Sequence, residues 1–199
     1  MPALTKVDIS FSLPVPTILV RIAVRIVLLY RRVRYGYAFR RIKLTKGKFA
    51  IVDPEDFEQL NQYNWYCTYY GYAARKIPKK DRKGKETRVL MHRELCPVPD
   101  ELVVDHINRN PGDNRKANLR PATKQQNCWN AKIKKKRAET QYTGIHFDKR
   151  RGKWYVHITL DGRSTTCGYY SDEVEAAKAY DRLVKQHRGE FGVLNFPEQ

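Results

Sequence analysis

Closely spaced cysteines and long apolar runs are both missing from this sequence. The four cysteines lie far apart, at Cys67, Cys96, Cys128 and Cys167. Because no two of them have the spacing of a zinc site or a redox motif, we expect free thiols and no zinc finger. The most apolar stretch, Ile18 to Tyr30, is interrupted by two arginines and is too short for a membrane span.

Acidic side chains are also scarce relative to basic ones. The 199 residues include 39 Lys and Arg but only 21 Asp and Glu, which gives a formal net charge of +18. Such an excess calls for a polyanionic partner, and nucleic acid is the usual one. The hydrophobic content of 41% and the aromatic content of 12% exclude a disordered polymer. The chain is long enough for one medium domain or two small ones.

Residues 1–37 form a basic leader with a single acid, Asp8. Three interpretations fit its composition: an organelle transit peptide, a basic arm that lies on DNA, or a stretch upstream of the true start that has no role. We favour the last, and expect no stable structure, because a globular pattern begins only near Ala38. A secretory signal is excluded, since the positive charge follows the apolar stretch instead of preceding it.

Residues 38–137 read as an α+β domain that ends in a basic helix or linker. Lys46-Gly47 is a hairpin signal between two short strands, Arg40–Leu44 and Phe49–Val52. Asp53, followed by Pro54, predicts the N-cap of a helix. Further strands are predicted at Trp65–Tyr70 and Tyr72–Ile77, and a helix at 124–135.

A polar cluster interrupts the apolar pattern between Val103 and Arg120. Asp105, His106 and Asn118 lie on two predicted strands, and Asn127 lies in the helix that follows. Burying such groups is costly unless they are paired or hold a metal. Asn is also a poor residue for a helix interior.

Phosphodiester cleavage would use these groups. The Asp105 carboxylate and the Asn127 amide oxygen suit a hard divalent cation. His106 suits the role of general base near neutral pH. Either Asn118 or a backbone carbonyl near it would orient the imidazole through its other nitrogen.

The spacing resembles the His-Asn-His (HNH) endonuclease signature, in the variant where Asn replaces the last His. Asn118 follows His106 by twelve residues, and Asn127 follows by nine more. The resemblance implies a ββα-metal fold that holds one Mg²⁺ or Mn²⁺ with Asp105 and Asn127. It implies His106 as general base and Asn118 as a brace of the hairpin. His92 matches a family histidine to which the resemblance assigns no role.

Residues 142–197 read as a separate unit of three antiparallel strands and one helix. Lys153 to Leu160 alternates between apolar and polar residues, which predicts a strand with one buried face. An apolar stripe along 172–188 predicts the helix that covers this face. The other face is polar with a basic border, and such a narrow sheet fits the DNA major groove.

This unit resembles the Apetala-two/ethylene-response-factor DNA-binding domain. The motifs that match include Tyr142-Thr143-Gly144-Ile145, Cys167-Gly168-Tyr169-Tyr170 and Leu194-Asn195-Phe196-Pro197. The resemblance and the strand alternation together predict DNA contacts, and the linker before the unit adds basic ones. They are Thr143, His146, Arg150, Arg151, Lys153, Tyr155, His157, Thr159, Ser164, Thr166, Lys132, Lys134, Lys135, Lys136 and Arg137.

We therefore expect a site-selective endonuclease of nicking or homing type, encoded by a phage or mobile element and acting on double-stranded DNA in the cytoplasm. A leader that targets an organelle is the alternative location. No membrane partner is expected, and a monomer with one active centre would nick one strand. The alternatives are a non-enzymatic DNA-binding regulator with a degenerate nuclease domain, or an RNA-binding protein, which the groove-reading sheet favours less.

Overall fold

The computed structural model describes residues 17–78, 81, 87–131, 140–160 and 162–197. Within them, the strands pair antiparallel in four sheets, β1-β2, β3-β4-β5, β6-β7 and β8-β9-β10. The predicted DNA contacts at Lys132, Lys134, Lys135, Lys136 and Arg137 lie outside the described residues. The elements are α1 (Thr17–Tyr35), β1 (Arg40–Lys43), β2 (Phe49–Val52), α2 (Phe57–Leu60), β3 (Tyr66–Cys67), β4 (Ala73–Lys76), β5 (Arg88–Leu90), α3 (Met91–Leu95), β6 (Val103–His106), β7 (Leu119–Ala122), α4 (Lys124–Trp129), β8 (Ile145–Asp148), β9 (Lys153–Leu160), β10 (Arg163–Tyr170) and α5 (Glu173–Arg188).

The second half of the basic leader is helical, which differs from the expectation of an unstructured segment. Helix α1 contains no glycine or proline, and it ends at Tyr35, directly before Gly36, whose φ of 81° is left-handed. None of its residues is buried. Its contact with the rest of the chain includes Arg31, whose guanidinium lies 4.4 Å from the centre of the Phe39 ring. Among the described residues, no helix is long and apolar enough to cross a membrane.

The first hydrophobic core lies under the β1–β2 hairpin. Lys46 and Gly47 both have positive φ, 61° and 67°, as the tight turn of such a hairpin requires. The helix predicted to begin at Asp53 begins at Phe57 instead. Asp53 and Asp56 accept hydrogen bonds from the backbone N–H and the ammonium group of Lys116, so the acidic segment is a turn that contacts the β6–β7 region. The core residues are Ile42, Leu44, Ala50, Val52, Phe57, Leu60, Trp65, Cys67, Ala73 and Met91.

The β6–β7 hairpin is attached to this core through its loop. The N–H of Ile51 in β2 donates to the carbonyl of Gly112 at 2.7 Å, and the N–H of Asn114 donates back to Ile51 at 2.7 Å. Helix α4 follows β7 directly and begins with a reciprocal capping box between Thr123 and Gln126. Strand β2 therefore holds the loop of the hairpin, and the capping box holds the start of α4.

A second core lies between the sheet β8-β9-β10 and helix α5. Val156 and Ile158 of β9 are buried, and they pack on the Ala176, Ala177 and Val184 side of α5. Asp172 caps α5 by accepting a hydrogen bond from the N–H of Glu175. A short 3-10 turn, Gly189–Phe191, follows α5.

Candidate active site

Asp105, His106 and Asn127 line the same cavity of about 440 Å³. Asp105 and His106 end strand β6, and Asn127 lies on helix α4. Asp105 and His106 are buried, whereas Asn127 is exposed within the cavity wall. The remaining lining residues are Tyr70, Tyr72, Arg109, Pro111, Asn130 and Ala131.

The Asp105 carboxylate is held by two side chains that the sequence analysis did not select. Its Oδ2 accepts from Arg120 Nε at 2.9 Å, because the strand register places Arg120 opposite Asp105. Asn130 Nδ2 donates to Oδ1 at 2.9 Å and to Oδ2 at 3.0 Å. Each carboxylate oxygen has two lone pairs, so Oδ1 keeps one for a cation.

His106 has the properties of a neutral base. Burial lowers the pKa of its imidazole, and the neighbouring Asn114 amide and the charges of Asp105 and Asp113 oppose this effect. Asn114 is fully buried but makes no well-aligned side-chain hydrogen bond among the described residues. The Nε2 atom of His106 is buried without a partner there as well.

Two rings, those of His92 and Tyr72, pack against the His106 imidazole. The ring centres of His92 and His106 lie 5.1 Å apart, and those of Tyr72 and His106 lie 5.8 Å apart. Burial, followed by the effects of His106 and the Arg93 charge, lowers the pKa of His92 to about 3. His92 is therefore a neutral packing partner of His106 near pH 7.

Asn118 does not contact the His106 ring through its side chain. Its Oδ1 accepts from the N–H of Asn108 at 2.9 Å, and its Nδ2 donates to the carbonyl of Asp113 at 2.8 Å. Both polar groups therefore hold the loop of the hairpin. The prediction that the Asn118 amide orients the imidazole is therefore wrong, because both polar atoms of that amide bond to the loop.

Arg120 also connects the cavity to the C-terminal unit. Its Nη1 donates to the carbonyl oxygen of Glu190 at 3.2 Å and lies 3.3 Å from the Glu190 carboxylate. Its guanidinium carbon lies 3.8 Å from the centre of the Phe191 ring. The 3-10 turn after α5 thus contacts the residue that holds Asp105.

Sequence reasoning missed Asn114, Arg120, Asn130 and Tyr72. A signal existed for Asn130, because it lies three residues after Asn127 and so on the same side of helix α4. Tyr72 lay inside a strand prediction with no polar neighbour to mark it. The pairing of Arg120 with Asp105 depends on the register of two strands, which the sequence did not specify residue by residue.

The exposed face of the C-terminal sheet carries a row of rings. The His146 and Tyr155 rings are stacked at 5.4 Å, and His146 and His157 lie 5.7 Å apart. Ser164 Oγ and His157 Nε2 are hydrogen-bonded at 2.8 Å. Of the other predicted DNA contacts, Lys153, Thr159 and Thr166 are exposed, and Tyr155 is half-buried.

The remaining predicted contacts lie at the edges of this face. Arg150 and Arg151 are exposed in a turn, and their N–H groups donate to the Asp148 carboxylate. The Arg151 guanidinium lies 4.4 Å from the centre of the Tyr169 ring. Thr143 is half-buried, and Asn195 holds its backbone N–H and carbonyl.

Comparisons with known proteins identify a nuclease domain around the cavity. The HNH endonuclease family matches residues 88–128, which run from β5 through most of α4. An uncharacterized HNH endonuclease of Acanthamoeba polyphaga mimivirus is 27% identical over 156 residues, which cover 75% of this chain and 76% of the viral protein. Nucleases of this family generally use a divalent metal ion and act on DNA.

Other relatives share shorter segments with this chain. An AP2-like ethylene-responsive transcription factor of Arabidopsis thaliana is 37% identical over 57 residues, covering 29% of this chain and only 12% of the plant protein. Protein 3.8 of Escherichia phage T7 is 33% identical over 67 residues, covering 34% of this chain and 54% of that protein. No solved structure gives a significant match. The chain therefore contains an HNH endonuclease domain with homology to a viral HNH endonuclease, which supports nuclease activity in general, and its similarity to AP2 proteins is partial and weak.

Proposed function

We propose that this protein is a metal-dependent endonuclease that nicks DNA at selected sites. The observation that carries the proposal is the cavity of about 440 Å³ that Asp105, His106 and Asn127 line together. A carboxylate, an amide oxygen and a neutral imidazole are the groups that hydrolysis of a phosphodiester needs at one place.

Asp105 and Asn127 would hold one Mg²⁺ or Mn²⁺ in this cavity. Both offer hard oxygen ligands, and the free lone pair on Asp105 Oδ1 fits this role. A bound divalent cation supplies polarisation of the phosphate and stabilisation of the departing 3′ oxygen. Arg120 and Asn130 orient the carboxylate, as second-layer donors do in metal sites.

His106 acts as the general base in this proposal. A nitrogen of its imidazole accepts a proton from the attacking water, and the lowered pKa keeps the imidazole unprotonated near neutral pH. The packed rings of Tyr72 and His92 limit rotation of the imidazole. Asn118 holds the loop that carries the residues after His106.

The C-terminal sheet selects the site in this proposal, and the net charge of +18 supplies general affinity for DNA. The exposed polar groups of β9 and β10 lie on the face opposite the core, where base edges are within reach of a groove-bound sheet. The segment shared with the plant transcription factor supports this role. A homing enzyme encoded by a phage, an intron or another mobile element is the biological setting that we favour.

A plasmid assay tests the enzyme against a DNA-binding regulator. Supercoiled plasmid is incubated with the protein and Mg²⁺ or Mn²⁺, with and without chelator, and with the His106→Ala variant. We expect chelator-sensitive relaxation that disappears in this variant while DNA binding remains. His187→Ala is the matched control, because His187 is exposed on α5. Binding without nicking in every metal would favour the regulator.

A second experiment tests the assignment of sequence readout to the sheet. His157→Ala should change the preferred sequence in a selection from random DNA, because His157 lies on the exposed face. Lys134→Ala and Lys135→Ala should weaken binding about equally on all sequences and flatten its salt dependence. Equal behaviour of the two kinds of variant would contradict this assignment.

A further inference from the structure

Two tyrosines at the rim of the candidate active site are almost fully exposed. Tyr69 retains 91% of its accessible surface and Tyr70 retains 78%. Their ring centres are 5.2 Å apart and nearly perpendicular. Single exposed apolar side chains are ordinary, but an adjacent aromatic pair beside a functional cavity is typical of a binding surface.

The turn that carries these tyrosines is tightly held. The N–H of Thr68 donates to the carbonyl of Tyr72 at 2.9 Å, and the N–H of Gly71 donates to the carbonyl of Thr68 at 3.1 Å. The Thr68 hydroxyl accepts a third hydrogen bond from the N–H of Tyr72 at 3.0 Å. These three hydrogen bonds hold the backbone of the turn, although the Tyr69 and Tyr70 side chains themselves bury little surface.

Gly71 fixes this turn against the loop of the β6–β7 hairpin. Its φ is +91°, and a Cβ at this position would lie 3.0 Å from the Pro111 side chain. Tyr72, one residue later, packs against the His106 ring. The position of the tyrosine pair relative to His106 is thus set by direct contacts on both sides of the turn.

Cationic side chains border the tyrosine pair. Tyr70 and Arg109 line the active-site cavity together. Tyr69 and Tyr70 also line a second, separate cavity of about 320 Å³, together with Lys48 and Phe49. Phe49 is half exposed. An apolar ring surface between positive charges suits a nucleobase flanked by its phosphates.

We propose that Tyr69 and Tyr70 stack on, and partly unstack, a base next to the cleaved phosphodiester. This inference rests on the proposed nuclease function and specifies its substrate: DNA that is locally opened at the cut site. Aromatic side chains inserted at a base step deform the duplex, and stacking on an aromatic ring is tolerant of base identity. The pair therefore contributes to cleavage of any selected site.

The test uses the full chain with His106→Ala, so that the DNA stays intact, and a duplex that carries 2-aminopurine next to the mapped nick. Binding in Mg²⁺ is expected to change the probe's fluorescence as its neighbours unstack. Tyr69→Ala and Tyr70→Ala should abolish this change, whereas Tyr69→Phe and Tyr70→Phe should keep it. Tyr30→Ala is the matched control, because Tyr30 is 60% exposed on α1 and lines neither cavity.

The nicking rate gives a second readout, measured in chains that keep His106. Each alanine variant should lower the nicking rate by about 5-fold to 150-fold, which corresponds to the ~1–3 kcal/mol that base stacking contributes. Thermal unfolding should not change, because both side chains are exposed. Two results would overturn this inference alone, provided that the wild-type chain nicks DNA. One is the absence of a fluorescence change when the His106→Ala chain binds, and the other is a normal nicking rate in the alanine variants. A wild-type chain that nicks no DNA in any metal would overturn the proposed function, and this inference with it.

Discussion

Arg120 offers a sharp test of how burial determines the strength of an ion pair, because it contacts one buried and one exposed carboxylate. The Asp105 side chain retains 4% of its exposure, and the Glu190 side chain retains 75%. The distances are similar, 2.9 Å to Asp105 and 3.3 Å to Glu190. Solvent screening should therefore separate the two pairs.

Arg120→Met removes both pairs, and Glu190→Gln removes only the exposed one. Leaving a buried carboxylate without its partner costs about 3–5 kcal/mol, so we expect Arg120→Met to lower the free energy of unfolding by this amount. Loss of the contact with the Phe191 ring adds to it. Glu190→Gln should cost roughly 0–1 kcal/mol, because the pair is exposed and the backbone carbonyl still accepts from Arg120.

Urea unfolding measures both variants, with Arg182→Met as the control for loss of an exposed arginine. With a denaturant slope of about 1–3 kcal/mol per molar, Arg120→Met should shift the midpoint by roughly 1 M or more. At the same slope, Glu190→Gln should shift the midpoint by at most about a third as much as Arg120→Met. Equal losses for the two variants, or a loss below about 1 kcal/mol for Arg120→Met, would refute this account of the site.

Three further predictions concern pH, backbone and metal. His92 has a pKa of about 3 in the fold and about 6.5 when unfolded, so stability should fall as pH drops from 6.5 toward 3, by about 2–3 kcal/mol at pH 4.5. The His92→Phe variant should lose the part of this dependence that His92 contributes and keep the part that comes from His106, whose pKa burial also lowers, and an unchanged slope in urea titrations would contradict the assignment. Gly144→Ala should destabilise by several kcal/mol in thermal unfolding, because φ is +75° and the new Cβ would lie 1.9 Å from the Tyr180 ring; a neutral effect would show that this contact is wrong. Asp105→Asn should weaken Mn²⁺ binding, followed by electron paramagnetic resonance, at least tenfold, and equal affinity would exclude Asp105 as a ligand.

Local signals in the sequence agree with local features of the structure where neighbouring residues suffice to determine them. Lys46-Gly47 indicates a hairpin, and both residues adopt positive φ between β1 and β2. The alternation from Lys153 to Leu160 matches the buried Val156 and Ile158 of β9. Asp172 caps α5 as its position before the apolar stripe indicates.

Local signals failed where a distant residue competed for the same group. Asp53 and Pro54 indicate a helix start, but the Asp53 carboxylate accepts from Lys116, which is 63 positions later in the chain. The helix starts at Phe57 as a result. The leader differs for another reason: we expected no stable structure there, yet 17–35 is helical although none of its residues is buried.

The sequence by itself determined which chemical groups this protein has and how they are spaced: Asp105 beside His106, with Asn127 one helix later. Tertiary structure alone decided what surrounds them, including the Arg120 and Asn130 donors to Asp105 and the rings of Tyr72 and His92 around His106. The physical reason is the distance along the chain over which each interaction acts. Spacing and periodicity arise from hydrogen bonds and faces within a few residues, whereas tertiary packing and strand register bring together groups 14 to 34 positions apart.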